Sequence, residues 1–102
     1  MNRQNRIILV GREPEDMARV TRILETAGYI VSVTESDGVA IDLAGSSEYD
    51  ALFIGSEVPP LDRRYVTTTA RALNPDMAVL VVQSPESVLT QLRQAGIERF
   101  DR

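Results

Sequence analysis

Residues Tyr49 to Pro60 read YDALFIGSEVPP and contain the strand that decides the fold. Within them, residues 51–54 form a short unbroken apolar run, which is typical of a strand covered on both faces in a parallel sheet. Gly55 and Ser56 follow at its carboxyl end. In open parallel sheets, ligands and chemistry gather at that end, beside a neighbouring strand. The position that such chemistry would use is therefore held by a residue without a side chain.

Strand and helix patterns alternate on both sides of this run. Three further strands are predicted at Ile7–Val10, Tyr29–Thr34 and Ala78–Val82. The second of them alternates apolar and polar residues, as an edge strand with one wetter face does, whereas the others are continuously apolar. Alternation with short connections implies parallel strands joined by right-handed crossovers. The chain therefore predicts a doubly wound α/β sheet of order 2-1-3-4-5, with a short fifth strand from Ile97 to Arg102 and no fifth helix.

Helix starts and helix faces are predicted from residue types and spacing. Pro14 fits the first turn of the first helix, Ser36 caps the second, Asp62 is predicted to cap the third, and Ser84 opens the fourth. Apolar residues at spacings of three and four predict the buried face of each helix. The members for the first, third and fourth helices are Met17, Val20, Leu24 and Ala27, then Val66, Ala70 and Leu73, then Val88, Leu89, Leu92 and Ala95.

Composition limits the classes of function. The 102 residues are enough for one domain, and 43% hydrophobic with 25% charged residues indicates a folded chain. A net charge of −4, with dispersed arginines as the only basic residues, argues against nucleic-acid binding. The absence of cysteine, histidine and lysine removes disulfides, thiolate metal sites, histidine acid–base chemistry and lysine Schiff bases. The amino-terminal apolar run is too short for a signal peptide or a membrane span, so we expect a cytoplasmic location.

A set of short motifs occurs in one order and spacing along the chain. They are Ile8-Leu9-Val10 with Glu13-Pro14 after it, Ser36-Asp37-Gly38, Tyr49-Asp50-Ala51, Pro59 with Leu61-Asp62 after it, and Gln94-Ala95-Gly96. With these motifs the chain resembles the receiver domain of two-component response regulators, from Arg6 to Phe100. The resemblance implies the CheY-like, flavodoxin-like fold, one receiver-like domain over residues 1–102, and a role with protein partners in phosphorelay signalling.

The resemblance also assigns site positions. In that family an aspartate after the third strand takes a phosphoryl group from a histidine kinase, and two acids after the first strand help to hold Mg²⁺. A hydroxyl residue after the fourth strand and a lysine after the fifth contact the phosphoryl group. On this sequence the phosphoacceptor position falls on Gly55, the acid pair on Gly11 and Arg12, with Glu13 beside them, and the hydroxyl position on Gln83. The lysine has no counterpart, because the chain contains none.

None of these positions carries the residue type that phosphoryl transfer requires. Glycine offers no carboxylate nucleophile, and Arg12 brings a positive charge where Mg²⁺ prefers carboxylate oxygens. Ser56 and Glu57 lie next to the glycine and could replace the nucleophile, but strand alternation turns Ser56 to the other side. We therefore interpret the chain as a pseudo-receiver with no catalytic residue, metal or cofactor. Its expected function is a phosphorylation-independent module for protein–protein interaction.

Two alternatives remain open. Arg12, Ser56 and Ser84 meet at the strand ends and form a candidate anion-binding cluster, which would make the chain a sensor of a small anionic ligand. No glycine-rich phosphate loop supports this alternative. The second alternative, an enzyme with the same fold, ranks last. The residues of this sequence do not provide a base, a nucleophile pair or a metal cluster. The pair Arg63-Arg64 is interpreted as solvated helix surface and not as a recognition patch.

The carboxyl end of the sequence carries a separate expectation. The family adds a fifth helix that packs beside the first, whereas this sequence stops about where the fifth strand begins. Without that helix, alternate members of Ala51–Ile54 and Ala78–Val82 would be exposed on one face of the sheet. We expect this open face to bind a protein partner or a second copy, or to be covered by a continuation of the chain. The last case predicts that the chain is the amino-terminal part of a longer protein.

Overall fold

The computed structural model describes residues 5–97, which form a four-stranded parallel sheet with helices on both faces. The elements in chain order are β1 (Arg6–Val10), α1 (Pro14–Thr26), β2 (Ile30–Thr34), α2 (Asp37–Gly45), β3 (Ala51–Ile54), α3 (Pro60–Leu73), β4 (Ala78–Val81), a 3₁₀ turn (Pro85–Ser87) and α4 (Val88–Gln94). The strand order β2-β1-β3-β4 confirms the doubly wound α/β fold. Of the predicted fifth strand, Ile97 is not in a strand, and residues 98–102 lie outside the described residues.

The interior of the sheet is formed by β1 and β3. Phe53 of β3 aligns with Leu9 of β1 on one side and with Leu80 of β4 on the other. All four residues of β3 are fully buried, as their continuous apolar run predicts. β2 is an edge strand, as predicted, and its Val33 is 44% exposed.

Alternating residues of the strands divide the core into two clusters, one on each face of the sheet. The cluster on the face covered by α1, called the α1 face below, includes Ile7, Leu9, Val20, Leu24, Ala51 and Phe53. The cluster on the face covered by α2 and α3, called the α2–α3 face, includes Ile8, Val10, Ala40, Leu52, Ile54, Val66 and Ala70. In residues 5–97, no helix combines the length and apolar character needed to cross a membrane.

The fourth helix packs on the α1 face. Val88 and Leu92 of α4 are fully buried in the same cluster as Leu24 of α1. Ala51 and Phe53 beneath them are fully buried, so the prediction that alternate residues of β3 are exposed is wrong. Crossover handedness fixes the face of a helix only where another strand follows. Within residues 5–97 none follows α4, which lies beside α1, where the resemblance implied a fifth helix.

Some helix boundaries and faces differ from their predictions. α3 begins at Pro60, so Asp62 lies in its first turn and does not cap it, because a proline without an N–H fits the first helical position. The fourth helix opens with a 3₁₀ turn and becomes α-helical only at Val88. Leu73 is 50% exposed in the last turn of α3, and Ala95 is exposed just beyond α4. Neither residue therefore belongs to the core that their spacing predicted.

The predicted start of α2 is confirmed, and glycines follow the ends of two other helices. Ser36 caps α2, and its side-chain oxygen accepts a hydrogen bond from the backbone nitrogen of Val39 at 3.2 Å. Gly28 and Gly96, which follow α1 and α4, have φ angles of 101° and 84°. This left-handed conformation ends a helix and is costly for residues with a Cβ atom.

Candidate functional site

The carboxyl ends of β1, β3 and β4 meet at one edge of the sheet, and the predicted site residues lie in the loops that follow them. Gly11 and Arg12 follow β1, Gly55 follows β3, and Gln83 follows β4. The backbone nitrogen of Gly55 donates a hydrogen bond to the carbonyl oxygen of Val10 at 2.8 Å. This bond holds the first and third strand ends side by side.

The carboxylate of Glu57 fills the space beside both glycines. An ideal Cβ atom on Gly55 would lie 2.6 Å from Oε2 and 2.8 Å from Oε1 of Glu57. An ideal Cβ atom on Gly11 would lie 3.0 Å from the same Oε2 and 2.8 Å from Sδ of Met17. A side chain at either position would therefore require the Glu57 carboxylate or the Met17 side chain to move.

The same carboxylate binds the backbone of the loop between β1 and α1. Oε2 of Glu57 accepts hydrogen bonds from the backbone nitrogen of Arg12 at 2.6 Å and from that of Glu13 at 3.0 Å. The side chain of Glu13, at the cap position of α1, makes no capping hydrogen bond. A carboxylate from the β3–α3 loop therefore supplies negative charge at the amino end of α1, where the helix dipole favours it.

The protonation of Glu57 follows from these contacts. Burial by itself would raise the pKa of the carboxyl group. The backbone N–H groups of Arg12, Glu57 and Glu13, together with the charge of Arg12, lower it by more, so the pKa lies below its ordinary value of 4.5. The group is therefore ionised at neutral pH, and hydrogen bonds to its lone pairs make it a weaker nucleophile than a free carboxylate.

The guanidinium group of Arg12 points toward α2 and the first turn of α3. Its NH2 atom lies 2.8 Å from Oδ1 of Asp37 and 3.6 Å from Oδ2 of Asp62, and its NH1 atom donates to the carbonyl oxygen of Glu35 at 3.0 Å. The hydrogen bond to Asp37 is the largest influence on Arg12 and raises its pKa, against a smaller lowering by burial. The positive charge of Arg12 is therefore already matched by two carboxylates.

A cavity of 220 Å³ opens on the other side of the strand ends. Ser56, Gln83 and Ser84 line it together with Gly55, whereas Arg12 is not part of the lining. The charged residues that line it are Asp16 and Glu57, and its remaining wall is apolar. The structure thus brings together two members of the predicted anion cluster and separates them from its cation.

Sequence reasoning considered Glu57 only as a replacement nucleophile and missed its structural role. The available signal was the pair of glycines at the ends of two neighbouring strands, since two missing side chains leave space that a nearby long side chain can fill. In the described part of the chain, no three His, Cys, Asp or Glu residues gather in a group that could hold a metal ion.

Comparison with known proteins gives fold relatives. No family model matches the chain, and no curated protein matches it. A CheY-like receiver domain from Methanospirillum hungatei matches with a TM-score of 0.75 and 15% identity, over 91% of this chain and 94% of that one. The receiver domain of the hybrid histidine kinase CckA matches with a TM-score of 0.73 and 18% identity, over 88% and 97% of the two chains.

A third structure is described as adenylate cyclase from Rhodopirellula baltica, with a TM-score of 0.67 and 20% identity, over 97% of this chain and 76% of that one. At these identities the comparisons establish the fold alone. The described part of the chain therefore has the fold of a CheY-like receiver domain.

Proposed function

We propose that the protein is a phosphorylation-independent signalling module that acts by binding a protein partner. Its fold is that of receiver domains, which are regulatory modules of two-component systems and generally not enzymes. The observation that carries the proposal is the position of the Glu57 carboxylate, which lies where a side chain on Gly55 would begin. This supports the proposal, because an acceptor side chain at position 55 would need the space that the Glu57 carboxylate fills.

Glu57 is a poor substitute for the missing acceptor. Its Oε2 atom accepts two backbone hydrogen bonds, and these bonds would weaken if the oxygen became phosphorylated. Arg12, the nearby cation, is paired with Asp37 and Asp62, and the chain contains no lysine to neutralise a phosphoryl group. Phosphoryl transfer depends on cations that stabilise the charge of the phosphoryl group. Since Arg12 is already paired and the chain has no lysine, reaction at Glu57 is disfavoured.

The alternative function, a sensor of a small anionic ligand, has weaker support. Ser56 and Ser84 line the cavity, but the charges along its wall are the carboxylates of Asp16 and Glu57. An anion that enters the cavity would be repelled by these carboxylates, and the guanidinium group of Arg12 does not line the cavity to offset the repulsion. A cytoplasmic location, and self-association as a second mode of interaction, remain parts of the proposal.

The test is the response to phosphoryl analogues. Beryllofluoride with Mg²⁺, and separately acetyl phosphate, are added to the ¹⁵N-labelled chain, and a phosphorylatable receiver domain serves as the control. We expect the control spectrum to shift, while the amide signals of Arg12, Glu13, Gly55 and Glu57 stay in place. Shifts at these residues, or transfer of radiolabelled phosphate to the chain, would overturn the proposal.

A further inference from the structure

The carboxyl end of β4 is exposed on the α2–α3 face of the sheet. Ala78 and Leu80 pack against the cluster on the α1 face, where α4 lies. Val79 packs against the cluster on the α2–α3 face, and strand alternation places Val81 on that same face. Val81 is 40% exposed. The α2–α3 face is therefore open where β4 runs beside α3.

The two flanks of α3 can be told apart by their contacts. Asp62 reaches Arg12, and Cδ1 of Leu73 lies 3.5 Å from an ideal Cβ on Gly45 of α2. Positions 62 and 73 therefore mark the flank that faces α2. The opposite flank, beyond the buried residues Val66 and Ala70, faces the open side of β4.

Residues at a spacing of four lie on this opposite flank: Arg63, Thr67 and Arg71. Arg63 donates to the carbonyl oxygen of Ser56 at 3.2 Å, which holds its side chain at the carboxyl end of β3. Arg71 is exposed and makes no ion pair with any carboxylate of residues 5–97. Together with Val79 and Val81, these residues form a surface with an apolar floor and a basic wall, called the β4 shelf below.

The chain's own fourth helix is held away from this shelf. Nε2 of Gln91 donates to the carbonyl oxygen of Val81 at 2.7 Å, and its Oε1 accepts from the backbone nitrogen of Gln83 at 3.1 Å. The nitrogen of Val82 between them donates to Ile54 of β3, so these two groups point to the outer edge of the sheet. Gln91 thus takes two hydrogen bonds that a neighbouring strand would make, and it anchors α4 on the α1 face.

The location of the shelf indicates the kind of element that fits it. A sheet face beside a packed helix is normally covered by another helix. A right-handed crossover leaving β4 away from β3 would also place its helix on the α2–α3 face. Since α4 occupies the other face, the shelf is a helix position that residues 5–97 leave unfilled.

We propose that the β4 shelf binds an acidic amphipathic helix of a partner protein. This inference rests on the proposed function as a protein-binding module and names the surface and the chemistry of the partner. Val79 and Val81 would take the apolar face of the helix, while Arg63 and Arg71 would pair with its acidic flank. A second copy fits less well, because pairing two shelves would bring their arginines together.

The test uses a pair of synthetic peptides and the ¹⁵N-labelled full chain. One peptide is a helix with leucine along one face and glutamate on both flanks, and the matched peptide has lysine in place of every glutamate. We expect the glutamate peptide to shift the amides of Thr67, Arg71, Val79 and Val81, and to bind about tenfold more tightly at low salt. The double variant Arg63→Glu/Arg71→Glu should instead bind the lysine peptide more tightly than the glutamate peptide.

The control variant is Arg22→Glu/Arg93→Glu, which makes the same change in charge on α1 and α4 and should keep the preference. Val81→Asp should abolish binding of the glutamate peptide.

The shelf proposal would be overturned by any of three results. These are amide shifts on another face, a preference for the glutamate peptide that survives Arg63→Glu/Arg71→Glu, and no binding of the glutamate peptide. If the chain forms a concentration-dependent dimer that Val81→Asp dissociates, the occupant of the shelf is a second copy and not an acidic partner. A response to beryllofluoride would refute phosphorylation independence and leave the peptide result unaffected.

Discussion

The Oε2 atom of Glu57 lies 2.6 Å from the backbone nitrogen of Arg12, although the two residues are 45 positions apart and follow different strands. This contact joins the loop after β3 to the loop that opens α1. It depends on Gly55 and Gly11, whose missing side chains leave room for the carboxylate. The space beside the two glycines is therefore filled by a carboxylate of the same chain.

Removing the Glu57 carboxylate should loosen the β1–α1 loop. We expect Glu57→Ala to lower the free energy of unfolding by about 1–2 kcal/mol, because two hydrogen bonds to a charged acceptor are lost at a partly exposed site. Hydrogen exchange at the amides of Arg12 and Glu13 should accelerate. Glu48→Ala, at an exposed glutamate without a side-chain hydrogen bond or ion pair in residues 5–97, is the control and should change neither measurement. Equal effects of the two variants would contradict the role of Glu57.

Stability should also depend on pH through this group. Because the pKa of Glu57 is lower in the folded chain than its ordinary value of 4.5, the ionised carboxylate stabilises the fold fully above that value. The contribution should decline as the pH falls below 4.5 toward the folded-state pKa, and vanish below it. Urea unfolding of the wild type and Glu57→Gln across this range should show a difference that shrinks on acidification. A difference that is independent of pH would count against the assignment.

A side chain at Gly55 should act through Glu57. Gly55→Ala would place a Cβ atom 2.6 Å from Oε2, so the carboxylate must move, and we expect this movement to weaken its hydrogen bonds to the backbone nitrogens of Arg12 and Glu13. We expect Gly55→Ala and Glu57→Ala to be strongly non-additive, since each removes the same contact. A double-mutant cycle measured by urea unfolding tests this. Additive losses would show that the glycine is needed for another reason.

The anchor between α4 and β4 should be visible in stability and in association. Gln91→Ala removes the partners of Val81 and Gln83 at the sheet edge, and we expect a loss of about 1–2 kcal/mol in the free energy of unfolding. The uncharged edge of β4 should also become more prone to association, which light scattering measures. Gln94→Ala, at an exposed position of the same helix, is the control. Indistinguishable behaviour of the two variants would argue against the anchor.

The position of α4 on the α1 face predicts a difference between two leucines. Leu92 is fully buried against the α1 cluster, whereas Leu61 of α3 is 76% exposed. Leu92→Ala should lower the free energy of unfolding by about 2–5 kcal/mol, and Leu61→Ala by less than about 0.5 kcal/mol. Thermal or urea unfolding measures both. A small effect at Leu92 would mean that α4 does not cover this face.

Much of the fold was accessible from the sequence because local signals and tertiary structure agree. The continuous apolar run of β3 and the alternating pattern of β2 separate interior from edge, and Ser36 marks the start of α2 as a cap. The face of the sheet on which α4 packs could not be predicted from the sequence. The spacing of Val88 and Leu92 shows which side of the helix is buried, but not which face of the sheet it meets.

The sequence indicated which strand ends meet, but not which side chains fill the space between them. Gly55, Ser56, Gln83 and Ser84 do line one cavity at the strand ends. The separation of Arg12 from that cavity depends on Asp37 and Asp62, whose proximity arises only when α2 and α3 pack together. A long side chain such as Glu57 can turn in several directions, so sequence spacing alone does not indicate that it enters the space beside Gly55.

The Glu57 carboxylate has a consequence for dissolved anions. It belongs to the same folded chain as its donors, the backbone nitrogens of Arg12 and Glu13, so its effective local concentration exceeds that of small acids free in solution. Acetate or inorganic phosphate must displace a competitor that never diffuses away. The loops that follow β1 and β3 should therefore keep one arrangement whatever the concentration of such anions.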